Sequence, residues 1–423
     1  MSCPIRVAIC GGGLAGASLM HALLKFSHLD VHIFESAATF KEAGMAISVA
    51  RNALATLDLL GPRAAQCLER AGAVPMRGLR FLLAQGERQG EIIDEDDVKN
   101  LGRRLTSIVH RAAFLRELLA GLPPQNMHPS KKLNQVDRKN DGCITLHFAD
   151  STIHECDILI GADGIHSTVR KLILGEDPAA SPRNTGVWII VTLHPYADAQ
   201  AIIGDNVNTG DPREYAWIGY DTYLMHNLLS DGQLVQFIIG SHDKEAELSD
   251  HWDRTVSAEE IKKLYRNWPP HLSKAVNELL CNKAEQRAIY LWDHPPARSY
   301  VSGPLCVIGD AAHASTPWQG SGGGMSIEDS LILSTLLGRA KTLPEAITAL
   351  KVYDQVRRPR TQRIVQSGRD LGTLLTSSNE KTGLYVKEPE KLLRRWDFIL
   401  DIDIEEHCNE AIEMMEEELK IGV

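Results

Sequence analysis

IRVAICGGGLAGASLMHALLKFSHLDVHIFE, residues 5 to 35, decides the fold. An apolar run from Ile5 gives way to glycines, then to a helical pattern up to about Phe26, then to the strand-like VHIF that ends at Glu35. That order is a β-α-β opening. Gly11, Gly13 and Gly16 stand at GxGxxG spacing, with Leu14 and Ala15 in the same turn. The first glycine allows the tight turn, the second lets a pyrophosphate approach the backbone, and the third lets helix and strand pack closely. Glu35, at the end of the next strand, is placed to accept hydrogen bonds from adenosine ribose hydroxyls. A glycine-rich turn without nucleotide is the bland alternative, and strand, helix and Glu35 together argue against it. The apolar start is broken by three glycines and lacks a small-residue cleavage site before Glu35, so it reads as the beginning of a domain and not as a secretory signal.

Working outward, the chain of 423 residues is long enough for two or three structural units around a large core. It is 24% charged and 43% hydrophobic, without an apolar stretch long enough for a membrane span. A net charge of -10 with no block of Lys and Arg argues against nucleic acid or an anionic membrane as the main partner and favours a small molecule. Cysteines 3, 10, 67, 143, 156, 281, 306 and 408 lack metal-ligand spacing, so no metal site is expected. Core thiols in a reducing, cytoplasmic setting are the default reading.

Two later apolar runs, DILIG from Asp157 and PLCVIG from Pro304, also end in glycine and acidic residues, as cofactor-facing strand ends of a parallel sheet do. Between them lie GVWIIVTL, YAWIGYDTYLMHNLL and QLVQFIIGS, separated by turn-rich stretches. The expected fold is α/β: a discontinuous Rossmann-like dinucleotide domain over 1–181 and 286–370, an antiparallel sheet inserted at 182–285, and a helical segment at 371–423 closing on an amphipathic, solvated helix.

GxGxxG serves FAD or NAD alike, and two further runs decide between them. GADGIHSTVR, Gly161 to Arg170, and GDAAHASTPWQGSGGGMSIED, Gly309 to Asp329, resemble the DG and GD signatures of the class A flavoprotein aromatic hydroxylases, in wording most similar to the salicylate hydroxylase-like branch. The resemblance extends from Ile5 to about Arg369 and thins between 180 and 285. It implies FAD, in the para-hydroxybenzoate hydroxylase type of fold, with NADH or NADPH as co-substrate and O2 as oxidant. The implied reaction is hydroxylation of a phenol or aromatic acid through a flavin C4a-hydroperoxide. An epoxidase, oxidase or reductase on the same fold, or a non-catalytic flavin-binding module, is the alternative.

Residue by residue, the resemblance gives Asp310 the ribityl hydroxyls, where its plain reading is a helix N-cap. Gly320, Gly322, Gly323 and Gly324 precede a helix, so their N–H groups can face the flavin's pyrimidine edge and stabilise negative charge there. It also places Pro317 beside the flavin ring and lets Arg111 contact the cofactor, although Arg111 reads equally as a helix-start arginine. Asp163 and Arg170 are implied as a network supporting FAD, against a structural salt bridge. YDQVRRPRTQ from Tyr353 is implied as a helix packed on the flavin domain.

The inserted sheet should supply the substrate pocket. Tyr215, Trp217, Tyr220, Tyr223 and His226 mix aromatic bodies with polar tips, and His226 could take a phenolic proton near neutral pH. A satisfied sheet histidine and ordinary aromatic packing are the alternatives. Three departures from the branch stand out: His226-Asn227 where many relatives carry Tyr-Pro, Trp188 near the position of an arginine in dearomatising relatives, and Arg51 in MAISVARN (45–52), where a glycine and a proline are usual. Arg51 is a candidate to replace a lost contact or to bind an acidic substrate. Oligomeric state is expected to be monomer or homodimer.

Overall fold

The computed structural model describes residues 3–41, 46–96, 104–139, 142–376 and 392–421. Its centre is a six-stranded sheet ordered Val301–Ser302, Leu305–Val307, Ile158–Gly161, Ile5–Cys10, Leu29–Phe34 and Met127–His128, in which all pairs but the first are parallel. The strands read as near-continuous apolar runs because both faces are covered. Helix Leu14–Leu23 lies between this sheet and helix Gly322–Leu337, whose residues are buried without interruption from Gly324 to Ser334.

An eight-stranded sheet stands beside it, ordered Asp253–Ser257, Glu285–Asp293, Arg183–Pro195, Leu234–His242, Thr222–Leu229, Glu214–Ile218, Leu79–Leu83 and Ile92–Glu95. The expected insert of 182–285 is therefore too narrow. Strands at 79–95 and 285–293 also belong to the sheet, and Glu214–Ile218 pairs Leu79–Leu83 in parallel, so the sheet is mixed.

Alternation and register give this sheet two distinct faces. Trp188, Ile190, Tyr215, Trp217, Leu224, His226, Phe237 and Ile239 point to the far face, into a core with Ala199, Ile203, Ile261, Leu272 and Ala275 of the helices Tyr196–Ile203, Ala258–Leu264 and Pro270–Ala275. Val187, Ile189, Ala216, Ile218, Tyr223 and Met225 point to the near face, against Trp318 and against Leu371 and Leu375 of helix Leu343–Thr376.

The expected boundary at 371 falls inside helix Leu343–Thr376. The closing helix, Ile404–Ile421, is not wholly solvated. It buries Ile404, Cys408, Ala411 and Met415, one stripe at helical spacing, as part of the main core.

Candidate active site

The glycine turn is built for close approach. Gly11 has φ +112°, and a Cβ there would fall 2.1 Å from the Ala162 carbonyl oxygen. A Cβ on Gly16 would fall 2.0 Å from the Gly11 oxygen. Only glycine fits either position, so turn, helix and the neighbouring strand close into one shallow cradle. Gly13 is the N-cap of helix Leu14–Leu23, with Leu14 buried and Ala15 half-buried in its first turn. Glu35 closes the cradle. Its Oε2 accepts from the Gly12 amide at 2.7 Å and its Oε1 from the Ala37 amide at 2.7 Å, which fixes the carboxylate and leaves lone pairs for ribose hydroxyls.

The GD run meets this cradle from the other side. Gly309 packs so closely on Ala15 that an added Cβ would lie 2.6 Å from the alanine methyl. Asp310 opens the short helix Asp310–His313, and its half-buried carboxylate takes no side-chain hydrogen bond or ion pair among the described residues. Such a carboxylate at a strand end suits the hydroxyls of a bound polyol. Pro317 is exposed in the turn Pro317–Gln319, and Gly320 follows in the left-handed region at φ +60°. Helix Gly322–Leu337 then begins with no side-chain cap, because the Ser321 hydroxyl donates to the Gln319 carbonyl instead. The first-turn amides of Gly322, Gly323 and Gly324 are thus left to a ligand, and the helix dipole favours negative charge there. A flavin dinucleotide fits these residues: a cradle that any side chain would fill, a ribose acceptor, a free carboxylate and an uncapped helix N-terminus.

Asp163 and Arg170 do not pair with each other. Asp163 accepts from the Ser167 hydroxyl at 2.5 Å and the Thr168 amide at 2.7 Å, capping the helix Thr168–Leu174, while burial holds its carboxyl above the usual range. Arg170 is buried and donates to the carbonyls of Ala179, Ala311 and Ala312, so it ties the DG helix to the GD turn. Arg111 starts helix Arg111–Leu119, directly after the strand Thr106–His110 that pairs with Ala46–Val49.

A buried ionic cluster behind the cradle went unrecognised in the sequence. Asp329 accepts from the Gly309 amide at 3.0 Å, from His313 Nε2 at 2.6 Å and from Arg357 Nε at 2.9 Å. Glu328 meets Arg357 at 2.7 Å, Arg360 at 3.0 Å and the Asn52 amide at 2.7 Å. Burial pushes the Glu328 carboxyl up, but the two arginines and Asn52 outweigh it and hold it at about 2. The acids of SIED and the arginines of RRPR therefore lock the GD turn between two helices. Opposite charges in two helices that must both be buried were the available signal.

The structure removes His226 from the candidate pocket. It is 1% exposed on the far face, stacked on Tyr215 at 4.9 Å between ring centroids, and burial with a minor contribution from His271 lowers it to about 3. Such a group is neutral at any working pH and titrates nowhere near neutrality. Tyr215, Trp217 and Trp188 share that face, and Trp188 packs under Arg254. Tyr220 lies at the hairpin turn beyond Ile218, its amide donating to Gln85 at 2.6 Å. Arg51 is paired with Asp401. Met45 lies outside the described residues.

The near face carries a different signal. Val191, Ile238 and Met225 are registered neighbours on three central strands, and each keeps solvent access, although Ile238 and Met225 have buried residues on both sides along their strands. Val191, Ile238 and Trp318 join one apolar cluster with Val187, Ile189 and Leu291. The Ala46 amide donates to Gln236 Oε1 at 3.0 Å, and Ile47 and Ser48 approach Gly323 and Gly320. An open apolar wall thus stands between the Pro317–Gly324 loop and the Ala46–Val49 strand. A cavity of about 290 Å³ lies elsewhere, lined by Arg360, Arg363, Phe398, Ile402, Glu406 and Glu410, with charges of both signs around a small apolar patch.

A family model described as FAD binding domain matches residues 4–368. The chain is an FAD-dependent monooxygenase of that family. The monooxygenase is 34% identical to the 6-methylsalicylate 1-monooxygenase atA of Aspergillus terreus, over 97% of this chain and 92% of that one. It is 30% identical to a salicylate hydroxylase of Pseudomonas putida, over 96% and 94%. In fold it matches a salicylate hydroxylase substrate complex with a TM-score of 0.81 at 24% identity, covering 96% of this chain and 98% of that one. It also matches Klebsiella pneumoniae HpxO complexed with FAD and uric acid, with a TM-score of 0.73 at 23% identity, covering 97% and 96%.

Proposed function

We propose that this monooxygenase uses NADH or NADPH and O2 to hydroxylate a small aromatic ring lodged between the Pro317–Gly324 loop and the near face of the eight-stranded sheet. The observation that carries the reading is the open wall of Val191, Ile238 and Met225 on the three central strands, where Ile238 and Met225 have buried neighbours on both sides, beside the uncapped helix at Gly322.

Bound FAD supplies the hydride acceptance and oxygen activation that no side chain provides. Gly11, Gly13, Leu14, Ala15 and Gly16 would hold its pyrophosphate, Glu35 its adenosine ribose, Asp310 its ribityl chain, and Arg111 a further polar group. The amides from Gly322 to Gly324 would stabilise negative charge at its ring edge. Asp163 and Arg170 act by positioning the loops. Val191, Ile238, Met225, Ile47 and Trp318 orient the aromatic substrate and exclude water, with Pro317 at the turn that faces the ring. The flavin strands and helices, with 79–95 and 285–293 assigned to the substrate sheet, form the two working units. Eight unbridged thiols suit a reducing cytoplasm, and a monomer or homodimer suffices for this site.

Anaerobic stopped-flow reduction of the holoenzyme by NADH and by NADPH, with and without a panel of phenols, tests this. An aromatic ligand should accelerate flavin bleaching by orders of magnitude and be hydroxylated when oxygen is admitted. Bleaching that responds only to a non-aromatic compound would reassign the reaction.

A further inference from the structure

On the near face, one ionisable group remains that the reading above does not use. Glu214 begins the strand Glu214–Ile218, in alternation with Ala216 and Ile218, so it projects to the same side as Met225 and Asn227 of the adjoining strand. Its side chain takes no ion pair or hydrogen bond among the described residues, and it keeps partial solvent access. Beside it, Asn227 and Gln236 form a buried pair of neutral amides, Gln236 Nε2 donating to Asn227 Oδ1 at 3.2 Å. The near-face positions of the central strands, from Val187 through Leu193, Gln236 through Gly240, and Tyr223 through Asn227, carry no Lys, Arg or His.

The arginines of the adjoining strand and of the turn before Glu214 are committed elsewhere. Arg77 pairs with Asp211 at 2.8 Å, and Arg80 and Arg213 both pair with Glu95. Arg80 lies against Tyr215 on the far face. Tyr223 is the titratable neighbour on the near face, and burial, with a smaller contribution from Glu214, keeps its hydroxyl protonated. Arg51, the cation that could have met an acidic substrate, is held by Asp401.

We infer that Glu214 is the group that takes the substrate's phenolic proton, and that the pocket selects uncharged phenols over aromatic carboxylates. The inference rests on the aromatic hydroxylase reading of this site. The O–H bond of the phenol breaks, its proton passes to a Glu214 carboxylate oxygen, and the electron pair stays on the phenolate oxygen, activating the ring for the oxygen transfer that O2 and the nicotinamide already drive. Burial pushes the Glu214 carboxyl up to about 7, a value suited to exchanging protons at working pH. A substrate carboxylate would meet an apolar wall, neutral amides and a like charge, with no Lys, Arg or His at those near-face strand positions to offset its lost hydration.

The test uses holoenzyme, with salicylamide and salicylate as probes of matched shape that differ in charge, titrated at pH 7 by perturbation of the flavin spectrum. Wild type should bind salicylamide at least ~10-fold more tightly, and Glu214→Gln should narrow that gap by weakening the discrimination against the anion. Turnover of the neutral phenol should rise through a pH near 7 in wild type. Glu214→Gln should lose that rise and fall by ~10²-fold or more, with Glu214→Asp restoring part of it. An unchanged binding ratio and pH profile in Glu214→Gln, with phenol hydroxylation intact, overturns the inference and leaves the hydroxylase reading standing. If no aromatic probe perturbs the flavin or its reduction rate, both fall.

Discussion

The two faces of the eight-stranded sheet are made from the same strands and do opposite work. The far face holds the residues that look catalytic on paper, Tyr215, Trp217 and His226, and seals them against three helices. The near face holds Val191, Met225 and Ile238, which look like filler, and leaves them open beside the Pro317–Gly324 loop. Chemical appearance in the sequence is thus a poor guide to position when a strand is buried on both sides. Access in the middle of a core is the better one.

Substitutions on each face sharpen that contrast. Phe237→Ala on the far face should cost ~3–5 kcal/mol of stability through the cavity it leaves, while kcat/KM per flavin-loaded enzyme stays near wild type. Thermal or urea unfolding beside steady-state kinetics would check both halves. Glu35→Ala touches neither face and should weaken FAD binding by about 1–3 kcal/mol, seen by equilibrium titration of apoenzyme. Unchanged affinity would remove Glu35 from the cofactor site.

Met225→Trp should fill the open wall. Its expected signature is a loss of ~10-fold or more in kcat/KM, about 1.4 kcal/mol, with flavin content and melting temperature little altered. If turnover survives and the protein melts early, Met225 belongs to a sealed core and the two faces have been misread.

His226→Leu should change turnover least, with the pH profile of kcat kept. Its effect should appear in acid instead. Burial lowers the folded His226 imidazole to about 3 from an ordinary 6.5, so its contribution to stability is present above 6.5 and is lost as pH falls towards 3. Melting curves across that window should fall less steeply in His226→Leu than in wild type. A variant whose turnover collapses with its fold intact would return His226 to the active site.

Much of the geometry on the proposed cofactor side is legible in the sequence because its signals are local. Gly11, Gly16 and Glu35 are fixed by one turn and two strands, and Asp310 and Gly322 by a strand end and a helix start. The substrate side is not, for a physical reason. In TYLMHNLL only Met225 keeps solvent access, so the strand lacks the polar and apolar alternation that would reveal its faces. Glu214 stands just outside the run YAWIGYDTYLMHNLL, and only its register beside Asn227 and Met225 supports the role proposed for it. The clamp of Glu328 and Asp329 on Arg357 and Arg360 joins two motifs that were read separately, because tertiary pairing leaves no trace in local spacing.

The central claim is that this enzyme transfers one atom of O2 to an aromatic ring. Incubating holoenzyme with NADH or NADPH, an accepted phenol and 18O2, then weighing the product by mass spectrometry, measures this directly. One 18O atom is expected in each product molecule and the other in water. A product without 18O, formed while hydrogen peroxide accumulates, would make the enzyme an oxidase and contradict it.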